Sequence, residues 1–407
     1  MHNLKSITFK DYKSQGYKGP SVRLAAGVQA YEAYAAANAS GVTIVGGDCP
    51  TVGLAGGYYA GGGHGPFSSK YGLASDQILE WEVIIANGTR VVATPTKNAD
   101  LYWALSGGGA GTFAVALSVT VKTHPDEIFG GAALSFTSAG ISQDIYWELI
   151  EVWHSEVLAQ IVDAGGQIIY VITAGYFAVA PLNLPGGTAA QVTSLLQPLT
   201  SKLAQYNITF NLVVTSSTSF LEHRAIYTAP LPYGSYTINN VIGSRLIPRR
   251  LVENAASRTS LMNAFRNITA SGEFGIGGIG LNVNHTVAGG TASSNAVLPA
   301  WRKTLIHAMI VGPWDLEAPQ AANMDTVSLI TNKWVPILES LTSGSGAYLN
   351  EAGYQLTTWK KDFYGANYER LMRIKQKYDP KNLLYAHTAV GSDLWKAASD
   401  GRLCQRR

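Results

Sequence analysis

GGDCPTVGLAGGYYAGGGHGPFSSKYG, residues 46–72, is too poor in side chains to be ordinary core. A lone cysteine, Cys49, and a lone histidine, His64, sit among its glycines. Without a Cβ, backbone N–H groups can approach a flat or anionic ligand, and a concave run of them forms an anion nest. A diphosphate suits such a nest. A second run, Gly107-Gly108-Gly109-Ala110-Gly111, follows. Neither run has the spacing of G-x-G-x-x-G with a later acidic residue, and neither ends in Gly-Lys-Ser/Thr. Rossmann and P-loop chemistry are therefore poorly supported. The plain alternative for both runs is a set of tight turns.

The flanking sequence places these loops beside strands. Val28, Tyr31 and Ala35 repeat at helical spacing, and Gly41 is placed to stop that helix. Val42–Val45 reads as a strand running into the first glycine loop. Residues 78–93 read as a hairpin about Asn87-Gly88, the pair that a type I′ turn favours. Asn98 is placed to cap a helix that reaches Leu105, and Phe113–Thr123 reads as the next strand. The texture changes after Pro125. Helices marked by Ile145 to Trp153, Val192 to Leu203 and Val327 to Leu341 alternate with strands near residues 168–173 and 209–215. Pro198 should kink the second of these helices. The pattern implies an α+β layer, with helices on one face of an antiparallel sheet. A last helix from about Ala366 carries Leu371, Ile374 and Tyr378 and ends at Asp379-Pro380.

Composition narrows the function. The 407 residues are 46% hydrophobic and 14% charged, so a large core is affordable. A net charge of +3 with no basic periodic face gives no reason to expect a nucleic-acid partner. Only the tail from Arg402 to Arg407 is locally basic. The longest apolar stretch, residues 168–182, is too short and too interrupted to span a bilayer and reads as a buried strand pair, so no membrane partner is expected. Two cysteines, Cys49 and Cys404, build neither a disulfide framework nor a zinc site, and no metal ligand is assigned. No signal peptide is visible after Met1, while five Asn-x-Ser/Thr sequons point to a secretory history. Oligomeric state and localisation are not assigned.

Three segments in order resemble a known family: CPTVGLAGGYYAGGGHGPFSSKYGLASDQILEWEVIIANG from Cys49, NADLYWALSGGGAGTFAV from Asn98, and FYGANYERLMRIKQKYDPKNLLY from Phe363. They resemble the berberine-bridge-enzyme-like FAD-linked oxidases of the vanillyl-alcohol-oxidase superfamily, with a fungal flavour in TAVGSDLW from Thr388. The resemblance implies an α+β fold: a bipartite PCMH-type FAD-binding domain interrupted by a substrate domain of antiparallel sheet backed by helices. The implied boundaries are 1–125 for the second FAD subdomain, 126–351 for the substrate domain, and 352–407 for the segment returning to the FAD domain. It also implies a cofactor-binding set. Cys49, Pro50, Thr51, Val52, Gly53, Gly56 and Gly57, then Gly61, Gly62, Gly63, His64 and Gly65, line FAD. Gly107, Gly108, Gly109 and Gly111 support the same region. Asp76 either orients a ribityl hydroxyl or caps a turn.

Two departures stand out. Met1-His2-Asn3-Leu4 already resembles the middle of the FAD domain, so the first subdomain, with the histidine that family members bond to the flavin, is expected to lie outside this chain. A truncated gene model and a natural remnant are both open, and residues 1–407 alone are expected to hold FAD loosely. Cys49 resembles the cysteine that forms a thioether in bicovalent members. Spacing to Gly61 is one residue longer than usual, and Tyr58-Tyr59 replaces a histidine, so an unmodified buried cysteine stays open.

Alcohol oxidation needs a base for the hydroxyl proton while hydride leaves carbon. GAYLNEAGY, residues 346–354, resembles the Tyr-x-Asn-Tyr pattern of sugar-oxidising relatives, with Glu351 at the second tyrosine. Glu351 is the expected base, with Tyr348 and Asn350 orienting substrate. His64 reads as capping its turn rather than touching the flavin edge. His285 and His307, on expected strands, are left out of the catalytic set. The implied function is oxidation of a CH–OH or similar carbon of a small molecule, a secondary metabolite or sugar, with O2 as acceptor. The alternative is a binding or cyclase-like scaffold without redox activity.

Overall fold

In the computed structural model, residues 1–228, 239–291 and 294–405 are described. Arg406 and Arg407 of the basic tail lie outside them. The first sheet is antiparallel and five-stranded: Ile7–Lys13 (β1), Lys18–Ala25 (β2), Ile78–Ile84 (β3), Arg90–Ala93 (β4) and Val115–Lys122 (β5). Its order is β1-β2-β5-β3-β4. The hairpin over residues 78–93 forms, but Gly88 alone takes positive φ. A type I′ turn needs left-handed backbone at both central residues, so the Asn87-Gly88 expectation is corrected on turn type. Asn98 does precede the helix Ala99–Leu105, yet its side chain donates to Val92 O and makes no capping bond.

The second sheet is also antiparallel, with seven strands: Phe129–Thr137 (β6), Gln167–Ile172 (β7), Tyr176–Pro185 (β8), Phe210–Ser217 (β9), Asn240–Pro248 (β10), Gly275–Gly280 (β11) and Thr304–Pro313 (β12). They run β9-β6-β8-β7-β11-β12-β10. The apolar stretch at 168–182 supplies the β7–β8 pair, as its pattern implies. Helices Gln143–Val152, Ala189–Gln205 and Ala255–Thr269 pack on one face through Leu149, Leu196 and Phe265. Pro198 lies inside Ala189–Gln205, and the helix continues past it.

Strand alternation then decides where the chemistry goes. On β12, Ile306, Ala308 and Ile310 join the helix-side core. The period of two turns His307 to the opposite face. There a smaller apolar cluster of Leu73, Leu246, Ile279, Val297, Trp301 and Tyr348 joins the sheet to the glycine loop. The third core unites the early chain with its end: Leu371 and Ile374 of the helix Tyr368–Tyr378 pack with Leu101 and Trp103.

Two buried histidines make this fold acid-sensitive. Burial lowers His154 from 6.5 to about 4 and His223 to about 3. Neutral His154 donates to Ile150 O through Nδ1 at 2.7 Å and accepts from Tyr170 Oη through Nε2 at 3.1 Å. Both groups bind fewer protons folded than unfolded. Their stabilisation is complete above the unfolded value and is lost as pH falls through 6.5 toward 4 and then 3. The shifts correspond to at most roughly 3 kcal/mol for His154 and roughly 5 kcal/mol for His223. The urea midpoint should fall between pH 6.5 and 4.5, before most carboxylates protonate, and His154→Phe should flatten that decline. A midpoint independent of pH over this range would contradict it.

Candidate active site

The glycine stretch divides into an open part and a packed part. Thr51, Val52, Gly53 and Gly56 are exposed, while Pro50 and the run from Gly61 to Gly65 are buried. A Cβ at Gly53, Gly56, Gly57 or Gly111 would meet no atom within 4 Å. At Gly65 it would strike Gly46 O, at Gly61 the Asn350 amide, and at Gly107 and Gly108 it would strike Val297 and the Ala104 carbonyl. Gly62, Gly63, Gly107, Gly109 and Gly111 also take positive φ. So one subset is glycine for protein packing and another borders open space. Tyr58 and Tyr59 staple the loop: their hydroxyls donate to His64 O and Val45 O, each at 2.8 Å. Cys49 is half-buried and not in a disulfide.

Of the open subset, Gly56 and Gly111 border a cavity of about 410 Å³ whose lining also includes Ala55, Ala60, Ala110 and Ala114, with Trp81 and Leu105. Small side chains on one wall of a bare backbone cradle are what a dinucleotide needs for close approach. The residues present fit FAD.

On the packed side, three distant segments converge. The Glu351 carboxylate Oε2 accepts from His307 Nε2 at 2.8 Å and from His64 Nε2 at 3.1 Å. His64 therefore does not cap its turn; its ring reaches across to the returning segment. His307, left out of the expected set, is fully buried on β12 and faces the same carboxylate. His285 is not on a strand; it opens the short helix His285–Ala288. Asn350 Nδ2 donates to Tyr348 Oη at 2.8 Å, which ties together the two residues expected to orient substrate. Trp301 packs edge-on to Tyr348 and closes the floor.

Charge follows from this geometry. Burial alone would raise the Glu351 carboxyl, but the His64 charge and the two imidazole donors outweigh it and hold it well below the usual carboxylate range. Burial works against a charge on His64, yet the adjoining Glu351 raises it, whereas burial prevails at His307 and lowers it. Burial pushes the Tyr348 phenol up, so it stays protonated. Glu351 Oε1 accepts no hydrogen bond among the described residues, and the side chain is 33% exposed. The site thus presents one anchored and one open carboxylate oxygen.

Asp76 is engaged elsewhere. It accepts from Leu73 N at 2.8 Å and holds Arg302 through both oxygens. Turn capping describes it, together with a long-range ion pair that local sequence does not reveal.

No helix among the described residues is long and apolar enough to cross a membrane. Comparison with known proteins fits both halves of the site. The family model described as "Berberine and berberine like" matches residues 347–391, and "FAD binding domain" matches residues 7–94. The VAO-type flavoprotein oxidase VAO615 of Thermothelomyces thermophilus is 42% identical over 408 residues, covering 100% of this chain and 70% of the relative. The FAD-linked oxidoreductase patO of Penicillium expansum is 44% identical over 404 residues, covering 99% of this chain and 70% of the relative. The crystal structure of the VAO-type flavoprotein MtVAO615 from Myceliophthora thermophila C1 superposes with a TM-score of 0.94 at 41% identity, covering 100% of this chain and 73% of that one. The chain belongs to the fungal berberine-bridge-enzyme-like FAD-linked oxidoreductases of the vanillyl-alcohol-oxidase superfamily.

Proposed function

We propose that the protein oxidises a CH–OH group of a small molecule, with Glu351 accepting the hydroxyl proton and O2 the final acceptor. FAD, when bound, supplies the hydride acceptor. The observation that carries the reading is the geometry of the carboxylate: anchored at Oε2 by two imidazoles and open at Oε1. An anchored base keeps its geometry while its free oxygen meets the substrate hydroxyl. Asn350 and Tyr348 flank it and supply donors that orient a polar substrate. The paired histidines and Trp301 wall the packed side of the carboxylate away from water. The domain boundaries at 125 and 351 belong to the same proposal, because Leu371 and Ile374 share a core with the residues before them.

The cofactor half of this reading has a direct test. Gly56 is exposed and a Cβ there meets nothing, so Gly56→Phe should leave thermal stability unchanged while filling the cavity mouth. FAD added to the variant should then quench far less than with the parent protein in a fluorescence titration. Equal binding by both would move the flavin away from this cavity.

A further inference from the structure

His64, His307 and Glu351 have a property that proton transfer does not require. One ligand atom from each lies within 4.8 Å of the other two. We propose that these three side chains form a binding site for a divalent first-row transition ion of the zinc–cobalt class, and that occupancy blocks Glu351 as a proton acceptor. The second clause rests on the reading above; the binding does not.

The donor set is the first argument. Two neutral imidazoles and one carboxylate are the ligands that zinc and its neighbours prefer, with bonds of about 2.0–2.2 Å. Around a four-coordinate ion such bonds separate neighbouring ligand atoms by roughly 3.3 Å. The carboxylate-to-imidazole separations here are 2.8 and 3.1 Å, within a few tenths of an ångström of that value, and all three ligand atoms lie within 4.8 Å of one another. Preorganisation is the second. His307 is fixed within a central strand, paired with Ile279 and Leu246 on either side. His64 is held by a loop whose glycine backbone is locked against Gly46 and Tyr58. Only Glu351 is partly exposed, which leaves an open side for water or substrate. Three protein ligands with an open position is the arrangement of accessible rather than closed structural metal sites.

The surroundings also limit the affinity. Metal binding at Nε2 requires the neutral His307 ring to carry its proton on Nδ1 instead, and the His64 ring to release the Nε2 proton that Glu351 favours. Both Nδ1 atoms are buried and accept or donate nothing among the described residues. Ligating histidines normally have an outer partner there, and losing one costs about 10–100-fold in affinity. The site should therefore bind reversibly, and a chelator should strip it without unfolding the chain.

Cobalt(II) titration of the purified protein, followed by its visible ligand-field bands, tests this. One ion per chain is expected, displaced by zinc, which the imidazole–carboxylate donor set suits. His307→Gln and His64→Gln should each weaken binding at least about tenfold, while His387→Gln, on an exposed residue, should not. Should a buried-histidine variant fail to fold, X-ray absorption on the zinc-loaded parent decides: two imidazoles in the first shell support the site. Absence of stoichiometric binding, binding indifferent to both variants, or a first shell without two imidazoles would overturn it. If the ion binds but Glu351→Gln reduces flavin at the parental rate, the site stands and the base assignment falls. Slow Glu351→Gln with no ion bound gives the reverse.

Discussion

Glu351→Gln is expected to slow substrate-dependent flavin reduction in the FAD-loaded enzyme by about 10²–10⁴, the usual contribution of a positioned general base. Glutamine keeps the length and volume of the side chain, and its oxygen, at the Oε2 position, can still accept from both imidazoles. It cannot take a proton at neutral pH, and its amide NH2 replaces the open Oε1 that would meet the substrate hydroxyl. With FAD on the open glycines as proposed, its content should be unchanged, because Gly53, Gly56 and Gly57 make no contact a Cβ would disturb. Stopped-flow absorbance would record the loss in the first-order reduction step rather than in substrate binding alone. Glu351→Asp should also be slow, since a side chain one methylene shorter cannot reach both rings from the same backbone position. Reduction of Glu351→Gln at the parental rate would remove this carboxylate from the chemistry.

Part of that site was legible in the sequence and part was not, for physical reasons. The glycine loop announced itself because a missing Cβ is a property of single residues, and the 78–93 hairpin and the strands near 113–123, 168–173 and 209–215 because hydrophobic period and turn residues are local. Glu351 was found by its neighbours Tyr348 and Asn350. His307 was set aside because a lone histidine on a strand is more often a structural hydrogen-bonding residue, and its partner Glu351 lies 44 residues away. His64 was read as a local cap for the same reason: its partner lies 287 residues away. Which glycines serve packing and which border open space is equally invisible, since Gly46, Val297 and Asn350 collide with a Cβ only after the chain has folded.

Asp76 carries the same lesson into stability. From sequence it resembles a residue that orients a turn or a flavin hydroxyl, and the local contact with Leu73 N is indeed made. The larger interaction is with Arg302, 226 residues on, through two bonds of 2.8 and 2.7 Å, with Asn295 donating a third at 2.7 Å. The side chains are only 4% and 9% exposed, so neither charge has water to fall back on. Bidentate geometry makes the pair strong, and burial makes a half-pair costly. Arg302→Met should strand the Asp76 carboxylate and lower unfolding free energy by about 3–5 kcal/mol, read from urea midpoints at constant slope. Asp76→Ala should cost a similar amount by stranding the guanidinium and freeing Leu73 N. The double variant should be more stable than the sum of the singles predicts, because no lone charge remains. FAD affinity of the folded fraction should be the same in all four proteins. If Asp76→Asn instead weakened FAD binding and left the urea midpoint unmoved, Asp76 would be a cofactor contact and the ion pair would be incidental.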